Sequence, residues 1–288
     1  MSRVNGDKAT RKDKCVGIIG CGWLGSALAK ELINQGCQVS ATRSREESVN
    51  ELSAQGINTH LLFIPTEQEA LNKHRIFDCQ QLVIAITPQL RQGRIDYPEK
   101  IKQLIQAAEQ SNAVKQIILL SSSAIYNGLS GDVTEEVPLI LSADKVQLLH
   151  EAEQAALAFA QADGQRCAYV LRLAGLVGDS RHPGKFLVGK NKTLADGDAA
   201  VNLIHQQDAV GLILALLNTN AASGIFNGVS NTKANKREYY QRAAQALSLP
   251  EPVFSKQETK TDTRVVNGDK AQRLLSYQFV YPDLLSWL

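Results

Sequence analysis

The stretch CVGIIGCGWLGSALAKELINQG, from Cys15 to Gly36, joins a short apolar run to three glycines and then to a helical pattern. Val16, Ile18 and Ile19 suit a buried strand, and Gly20, Gly22 and Gly25 follow it as G-x-G-x-x-G. Leu24, Leu28 and Leu32 recur at every fourth position, so one stripe of the next segment should face a sheet, and Gly36 closes the helix. The three glycines have separate reasons: Gly20 permits the tight turn, Gly22 lets the main chain approach a pyrophosphate, and Gly25 lets the helix pack close to the strand. Unpaired N–H groups at the helix start, with their partial positive charge, then favour phosphate. The spacing predicts a dinucleotide site built on Gly20, Cys21, Gly22, Trp23, Leu24 and Gly25; the competing reading is a glycine-rich turn in some other α/β protein.

A second strand is expected over Cys37–Thr42, followed by Arg43, Ser44 and Arg45. An acidic residue at the end of this strand would bind a ribose 2′-hydroxyl and repel a 2′-phosphate; Thr42 and Arg43 stand there instead. The expected cofactor is therefore NADP, with NAD the alternative, and Thr42, Arg43 and Ser44 join the cofactor set. Otherwise Arg43 and Arg45 simply begin a solvated helix, Glu46–Gln55, that ends at Gly56. Further strands are expected over Ile57–Phe63, Leu82–Thr87 (stopped by Pro88) and Gln116–Leu120, which runs into Ser121-Ser122-Ser123, with a helix over Pro98–Ser111. This alternation predicts an α/β fold with a doubly wound parallel sheet, whose ligands bind beyond the C-terminal strand ends, where Thr87, Pro88 and Ser121 fall beside the glycine loop.

Three later stretches extend the pattern: SSSAIYN at 121–127, RLAGLVG at 172–178 and VNLIHQQD at 201–208. In order and spacing, with the glycine loop, they resemble the extended short-chain dehydrogenase/reductases, the NAD(P)-dependent epimerase/dehydratase type, over most of residues 15–288. The G-x-G-x-x-G spacing, in place of G-x-x-G-x-x-G, points to an atypical subgroup. The resemblance implies an oxidoreductase, epimerase or dehydratase acting on a small polar, nucleotide-sugar-like substrate. It also implies a dinucleotide-binding domain over 15–178, rejoined by elements near 200–229, and a small C-terminal substrate lobe from 179–199 and 230–288. A homodimer through helices Pro98–Ser111 and Ser142–Ala162 is a further implication.

The chemistry of that family needs a Tyr and a Lys four residues apart on one helix, here Ser142–Ala162 with Ser142 as N-cap, yet this helix contains no tyrosine. Matching Ala152-Glu153 to the family pattern puts Lys145 at the tyrosine position and Leu149 at the lysine position. Ser122 matches the hydroxyl-bearing position, and Tyr126, Lys145 and His150 are the substitute donors. Each has a plainer account: packing for Tyr126, a solvated first turn for Lys145, a surface helix position for His150. His205 and Asp208 are expected to serve as an N-cap and a structural hydrogen bond, with no metal site. A cofactor-binding sensor that has lost its acid is the second reading, and an S-adenosylmethionine-dependent methyltransferase a third that fits the later matches poorly.

With 288 residues, 44% of them hydrophobic, and a net charge of +2, the chain can bury a large core and gives no reason to expect nucleic acid or an anionic membrane as partner. No stretch approaches a transmembrane span and no signal-peptide pattern opens the chain, so a cytoplasmic protein with a small-molecule substrate is expected. Residues 1–14 read as a disordered leader. Five cysteines without C-x-x-C suggest reduced thiols; Cys21, inside the glycine loop, could be activated but more simply fits a tight turn. Lys256, Lys260 and Arg264 either favour an anionic ligand or line a solvated face.

Overall fold

A computed structural model describes residues 14–89, 92–187, 193–255 and 263–288. The expected leader, Arg91, Lys190, Lys256 and Lys260 therefore lie outside the described residues, apart from Lys14 at the leader's end.

The first half alternates strand and helix: β1 (Cys15–Ile19), α1 (Trp23–Asn34), β2 (Gln38–Arg43), α2 (Glu46–Ala54), β3 (Asn58–Leu61), α3 (Gln68–Asn72), β4 (Gln81–Ile84), α4 (Tyr97–Gln110) and β5 (Gln116–Ser122). Then come β6 (Gly131–Val133), α5 (Asp144–Gln161), β7 (Cys167–Leu173), β8 (Gly175–Val177), β9 (Leu203–His205), α6 (Gln206–Leu217), β10 (Gly224–Gly228), α7 (Lys236–Ala246), β11 (Arg264–Val266) and α8 (Asp269–Leu275). Seven strands form one parallel sheet in the order β3-β2-β1-β4-β5-β7-β10. Its strands are near-continuous apolar runs, as at Val16–Ile19 and Ile117–Leu119, because helices cover both faces. The doubly wound α/β fold is as expected.

The chain order reverses between β1 and β4, which are neighbours in the sheet although two strands on the other side separate them in sequence. The connections from these two strands leave in opposite directions and open a crevice at their C-terminal ends. The glycine turn after β1 and the Ala85–Pro88 segment after β4 form its two lips.

Beyond the sheet, β6 pairs with β11 and β8 with β9, each in parallel. A second, smaller apolar cluster of Val177, Val201, Leu203, Tyr239 and Leu284 holds α7 and the C-terminus together. Helix α8 packs back on β10 and α6. The C-terminal segment is fastened by Asp208, fully buried, which accepts hydrogen bonds from the Tyr277 hydroxyl at 2.9 Å and from the Val280 and Tyr281 amides at 2.7 and 3.0 Å.

Four local expectations are corrected. Helix α5 begins at Asp144, with Ala143 rather than Ser142 at the N-cap and no side-chain cap bond. The fourth strand ends at Ile84 and the third spans only Asn58–Leu61. The thiols are not all reduced: Cys15 and Cys79 are joined as a disulfide with Cα atoms 4.7 Å apart, because pairing of β1 with β4 brings together residues far apart in sequence.

Candidate functional site

The glycine turn is braced from β2. Gly20 has φ +84°, and a Cβ there would lie 2.8 Å from the Ile86 side chain. Its amide donates to the Thr42 hydroxyl at 3.2 Å, and the Cys21 amide donates to the Thr42 carbonyl at 2.9 Å. Gly22 donates to the Gly20 carbonyl at 2.7 Å and serves as N-cap of α1 with no side-chain cap. The intrahelical ladder begins where Ser26 donates to the Gly22 carbonyl at 2.8 Å, so the amides of Trp23, Leu24 and Gly25 form the uncapped first turn. A Cβ on Gly25 would press the Ile18 side chain at 3.3 Å, the close helix-to-strand packing expected of that position.

On one side of this turn lies a cavity of about 370 Å³ lined by Thr42, Arg43, Ser44, Arg45, Arg94 and Lys100 among others, with no carboxylate in its lining among the described residues. Arg43 is aimed by a 2.9 Å bond from Nη1 to the Cys21 carbonyl. Arg94 and Lys100 both pair with Asp96, at 2.6 and 3.0 Å. The Arg94 guanidinium, and after it Lys100, holds the Asp96 carboxyl well below the usual carboxylate range.

On the other side lies a larger chamber of about 560 Å³, reached by Trp23, Leu24, Thr87, Pro88, Ser121 and Ser122. Leu149 of α5 lines it too, an apolar side chain at the position the family resemblance assigns to lysine. Ser122 is half-buried, and its Oγ accepts from the Ala124 amide at 3.2 Å, leaving its hydrogen to donate. Arg181 lies over the Trp23 ring at 4.5 Å, while Trp23 Nε1 donates to Ser180 Oγ at 2.7 Å. The segment after β8 is thus tied to the glycine turn.

Several candidate residues sit elsewhere. Tyr126 is fully buried, donating to Asn227 Oδ1 at 2.8 Å and accepting from Arg172 Nη1 at 2.8 Å, so it lines none of these cavities and its reading as a proton donor is corrected. Arg172 in turn makes a bidentate pair with Glu153, whose carboxylate also accepts from Ser121 Oγ at 2.5 Å. Burial works against the Arg172 charge, but Glu153 and Tyr126 outweigh it and hold the guanidinium above its ordinary value. Burial likewise pushes the Tyr126 phenol up. Lys145 stands half-buried in the first turn of α5, and neither it nor His150 lines the chamber. Of the two readings of Cys21, the activated thiol falls away: its side chain is fully buried, it lines neither cavity, and burial pushes its thiol up. His205 caps α6 by accepting from the Gln207 amide at 3.2 Å.

The residues that sequence reading missed are Arg45, Arg94, Lys100, Tyr97 and Arg181, all brought to the cavities by chain connections rather than by motif. A Tyr-Pro pair opening an amphipathic helix was the one local signal for Tyr97.

A third cavity, of about 600 Å³, lies toward the C-terminal segment and is lined by Ser123, Asn127, Asn202, Lys236, Tyr240 and Arg264 among others. Arg264 Nη1 donates to Asn127 Oδ1 at 3.1 Å, whereas its buried Nε finds no partner among the described residues.

The protein YeeZ of Escherichia coli K12 is 31% identical over 276 residues, covering 94% of this chain and 98% of YeeZ. The chain belongs to the YeeZ family. Residues 16–134 match the model of the TrkA-N domain, the span from β1 through β6. Among solved structures, the UDP-N-acetylglucosamine 4-epimerase of Bacillus cereus superposes with a TM-score of 0.76 at 17% identity, covering 96% of this chain and 98% of that one. A UDP-glucuronic acid 4-epimerase of the same organism, solved with NAD, gives a TM-score of 0.72 at 15% identity over 94% of this chain and 96% of that one. The YeeZ-family chain thus has the fold of the NAD-dependent epimerase/dehydratases. Among its described residues, no helix is long and apolar enough to cross a membrane.

Proposed function

We propose that this YeeZ-family chain binds NADP in preference to NAD and acts as an oxidoreductase, epimerase or dehydratase on a small, polar, anionic substrate. The observation that carries the reading is the uncapped first turn of α1, flanked by a cation-lined cavity on one side and by the Ser122 chamber on the other. Three amides with no partner among the described residues and a helix dipole suit a pyrophosphate, and the two cavities suit the two nucleosides it joins.

In this reading Trp23, Leu24 and Gly25 hold the pyrophosphate through their amides, and Arg43, steadied on the Cys21 carbonyl, pairs with a 2′-phosphate. When bound, the nicotinamide supplies a hydride donor or acceptor to the chamber. Ser122 donates its hydroxyl hydrogen to the substrate oxygen and so fixes which carbon faces the ring. Arg264 and Lys236, in the third cavity, hold the anionic part of the substrate. The UDP-sugar epimerases that share the fold support a nucleotide-sugar-like substrate.

A second reading, a cofactor-binding sensor, is favoured by Leu149: an apolar side chain lines the chamber where a catalytic cation would be needed. Calorimetry with NADP⁺, NADPH, NAD⁺ and NADH, on the unaltered chain and on Arg43→Ala, tests the first step. Tighter binding of the phosphorylated pair is expected, with a loss of about tenfold in Arg43→Ala, the lower end of a charge-assisted bond at a half-exposed site. Tighter NADH binding overturns the NADP assignment, and four flat isotherms overturn the dinucleotide reading. Screening NADPH turnover on aldehydes, ketones and nucleotide sugars, with Ser122→Ala as control, separates enzyme from sensor.

A further inference from the structure

The Ser122 chamber has the glycine turn in its wall and, among the described residues, a single charged side chain, Arg181. A tight turn presents that side chain: the Arg181 amide donates to the Gly178 carbonyl at 2.8 Å, and the two residues form an antiparallel bridge. The exposed Arg181 guanidinium lies 4.5 Å over the Trp23 ring and has no carboxylate or carbonyl partner among the described residues. Trp23 is itself held in place. Its Nε1 donates to Ser180 Oγ at 2.7 Å, Gln206 Nε2 donates to its carbonyl at 3.1 Å, and a Cβ on Gly178 would lie 3.2 Å from the indole. A guanidinium resting on an aromatic face keeps its charge and leaves its N–H groups for an acceptor elsewhere.

We propose that Arg181 pairs with the pyrophosphate of the dinucleotide, so that the segment after β8 supplies the full positive charge that the glycine turn lacks. The assignment rests on the dinucleotide reading above. Each phosphate of a pyrophosphate carries a full negative charge, whereas a helix start offers only about half a positive charge. A cation beside the turn makes up the difference, and it can pair bidentately with phosphate oxygens. Trp23 joins the two features: its amide belongs to the uncapped first turn of α1, and its ring carries the guanidinium. The cations of the other cavity are engaged on their own side of the turn, Arg43 with the Cys21 carbonyl and Arg94 and Lys100 with Asp96.

Calorimetry with NADP⁺, NAD⁺ and UDP would compare the unaltered chain with Arg181→Met and Lys185→Met. Methionine keeps an apolar cover on the Trp23 ring while removing the charge. Lys185 is the control, an exposed cation close by in sequence that lines none of the three cavities. In Arg181→Met the Kd of each dinucleotide that binds the unaltered chain should rise about tenfold, the lower end of a charge-assisted bond, and Lys185→Met should change neither. Added salt should weaken dinucleotide binding less steeply in Arg181→Met than in the unaltered chain, because one charge contact has gone. A weaker Kd with the salt dependence unchanged marks a purely structural arginine and overturns the assignment. So does a Kd that moves by less than about twofold in Arg181→Met, or an equal loss in Lys185→Met. If both dinucleotides bind and the loss is confined to NADP⁺, Arg181 serves the 2′-phosphate; if it is confined to UDP, Arg181 serves a substrate phosphate. Either result overturns the assignment while the dinucleotide reading stands. Failure of both dinucleotides to bind the unaltered chain overturns both.

Discussion

Replacing Glu153 by leucine should cost the fold about 3–5 kcal/mol, because it strands the Arg172 guanidinium in the core. Glu153 is fully buried and Arg172 is 2% exposed. Their contacts are Nε to Oε1 and Oε2 at 3.1 Å each and Nη2 to Oε2 at 2.7 Å, with Ser121 Oγ on the same carboxylate. Without Glu153, the guanidinium keeps, among the described residues, only the Tyr126 oxygen, an uncharged acceptor. The whole stability of a protein is about 5–15 kcal/mol, so this one change removes a large share of it. Urea unfolding of the single variant and of the Glu153→Leu/Arg172→Met pair separates charge from packing. The pair buries no unmatched charge, so it should lie within about 2 kcal/mol of the unaltered chain and recover most of the single loss. A loss below about 1 kcal/mol in Glu153→Leu, or a double variant as unstable as the two singles summed, would refute the argument. The network also matters to the site, since Ser121 leads directly to Ser122 and the chamber.

Asp208→Ala should cost on the order of 3 kcal/mol, measured by urea unfolding, because the Tyr277 hydroxyl and the Val280 and Tyr281 amides lose their shared acceptor. A cost under about 1 kcal/mol would show that the C-terminal segment is held by its apolar contacts alone. The melting temperature should fall as pH is lowered below about 6.5, the ordinary histidine value. Burial first holds His60, His74, His182 and His205 below that value, so the unfolded chain takes up protons earlier than the folded one. This stabilisation is complete above 6.5 and declines as pH drops toward the folded values; Glu135, raised by burial, acts in the opposite sense but starts from 4.5. A melting temperature that is flat or rising between pH 7 and 5.5 would contradict the sign.

Much of the fold could be read from Cys15–Gly36 and the strand–helix alternation because those signals are local. Gly20 needs positive φ, Gly25 needs to touch Ile18, and Leu24, Leu28 and Leu32 need a sheet to cover them, whatever the rest of the chain does. Thr42, Arg43 and Ser44 could be placed beside the turn because a parallel β1–β2 pair with a single helix crossover fixes where the second strand ends. Tyr126 and Lys145 could not be sorted in the same way. A tyrosine three residues after a serine run looks alike in sequence whether its hydroxyl faces a cleft or, as here, an Arg172–Asn227 pair supplied by β7 and β10.

The sequence by itself determined the α/β class, the glycine turn, the positions of most strands and the missing tyrosine of α5, all properties of contiguous residues under the steric limits of the backbone. Only the tertiary structure decided which side chains are brought together: Arg94 and Lys100 in one cavity with Arg43, Tyr97 and Leu149 in one chamber lining, and Glu153 clasping Arg172 instead of serving a ligand. Contacts of that kind join residues from different strands and helices, and their energies depend on burial and distance, which the order of residues along a chain does not contain.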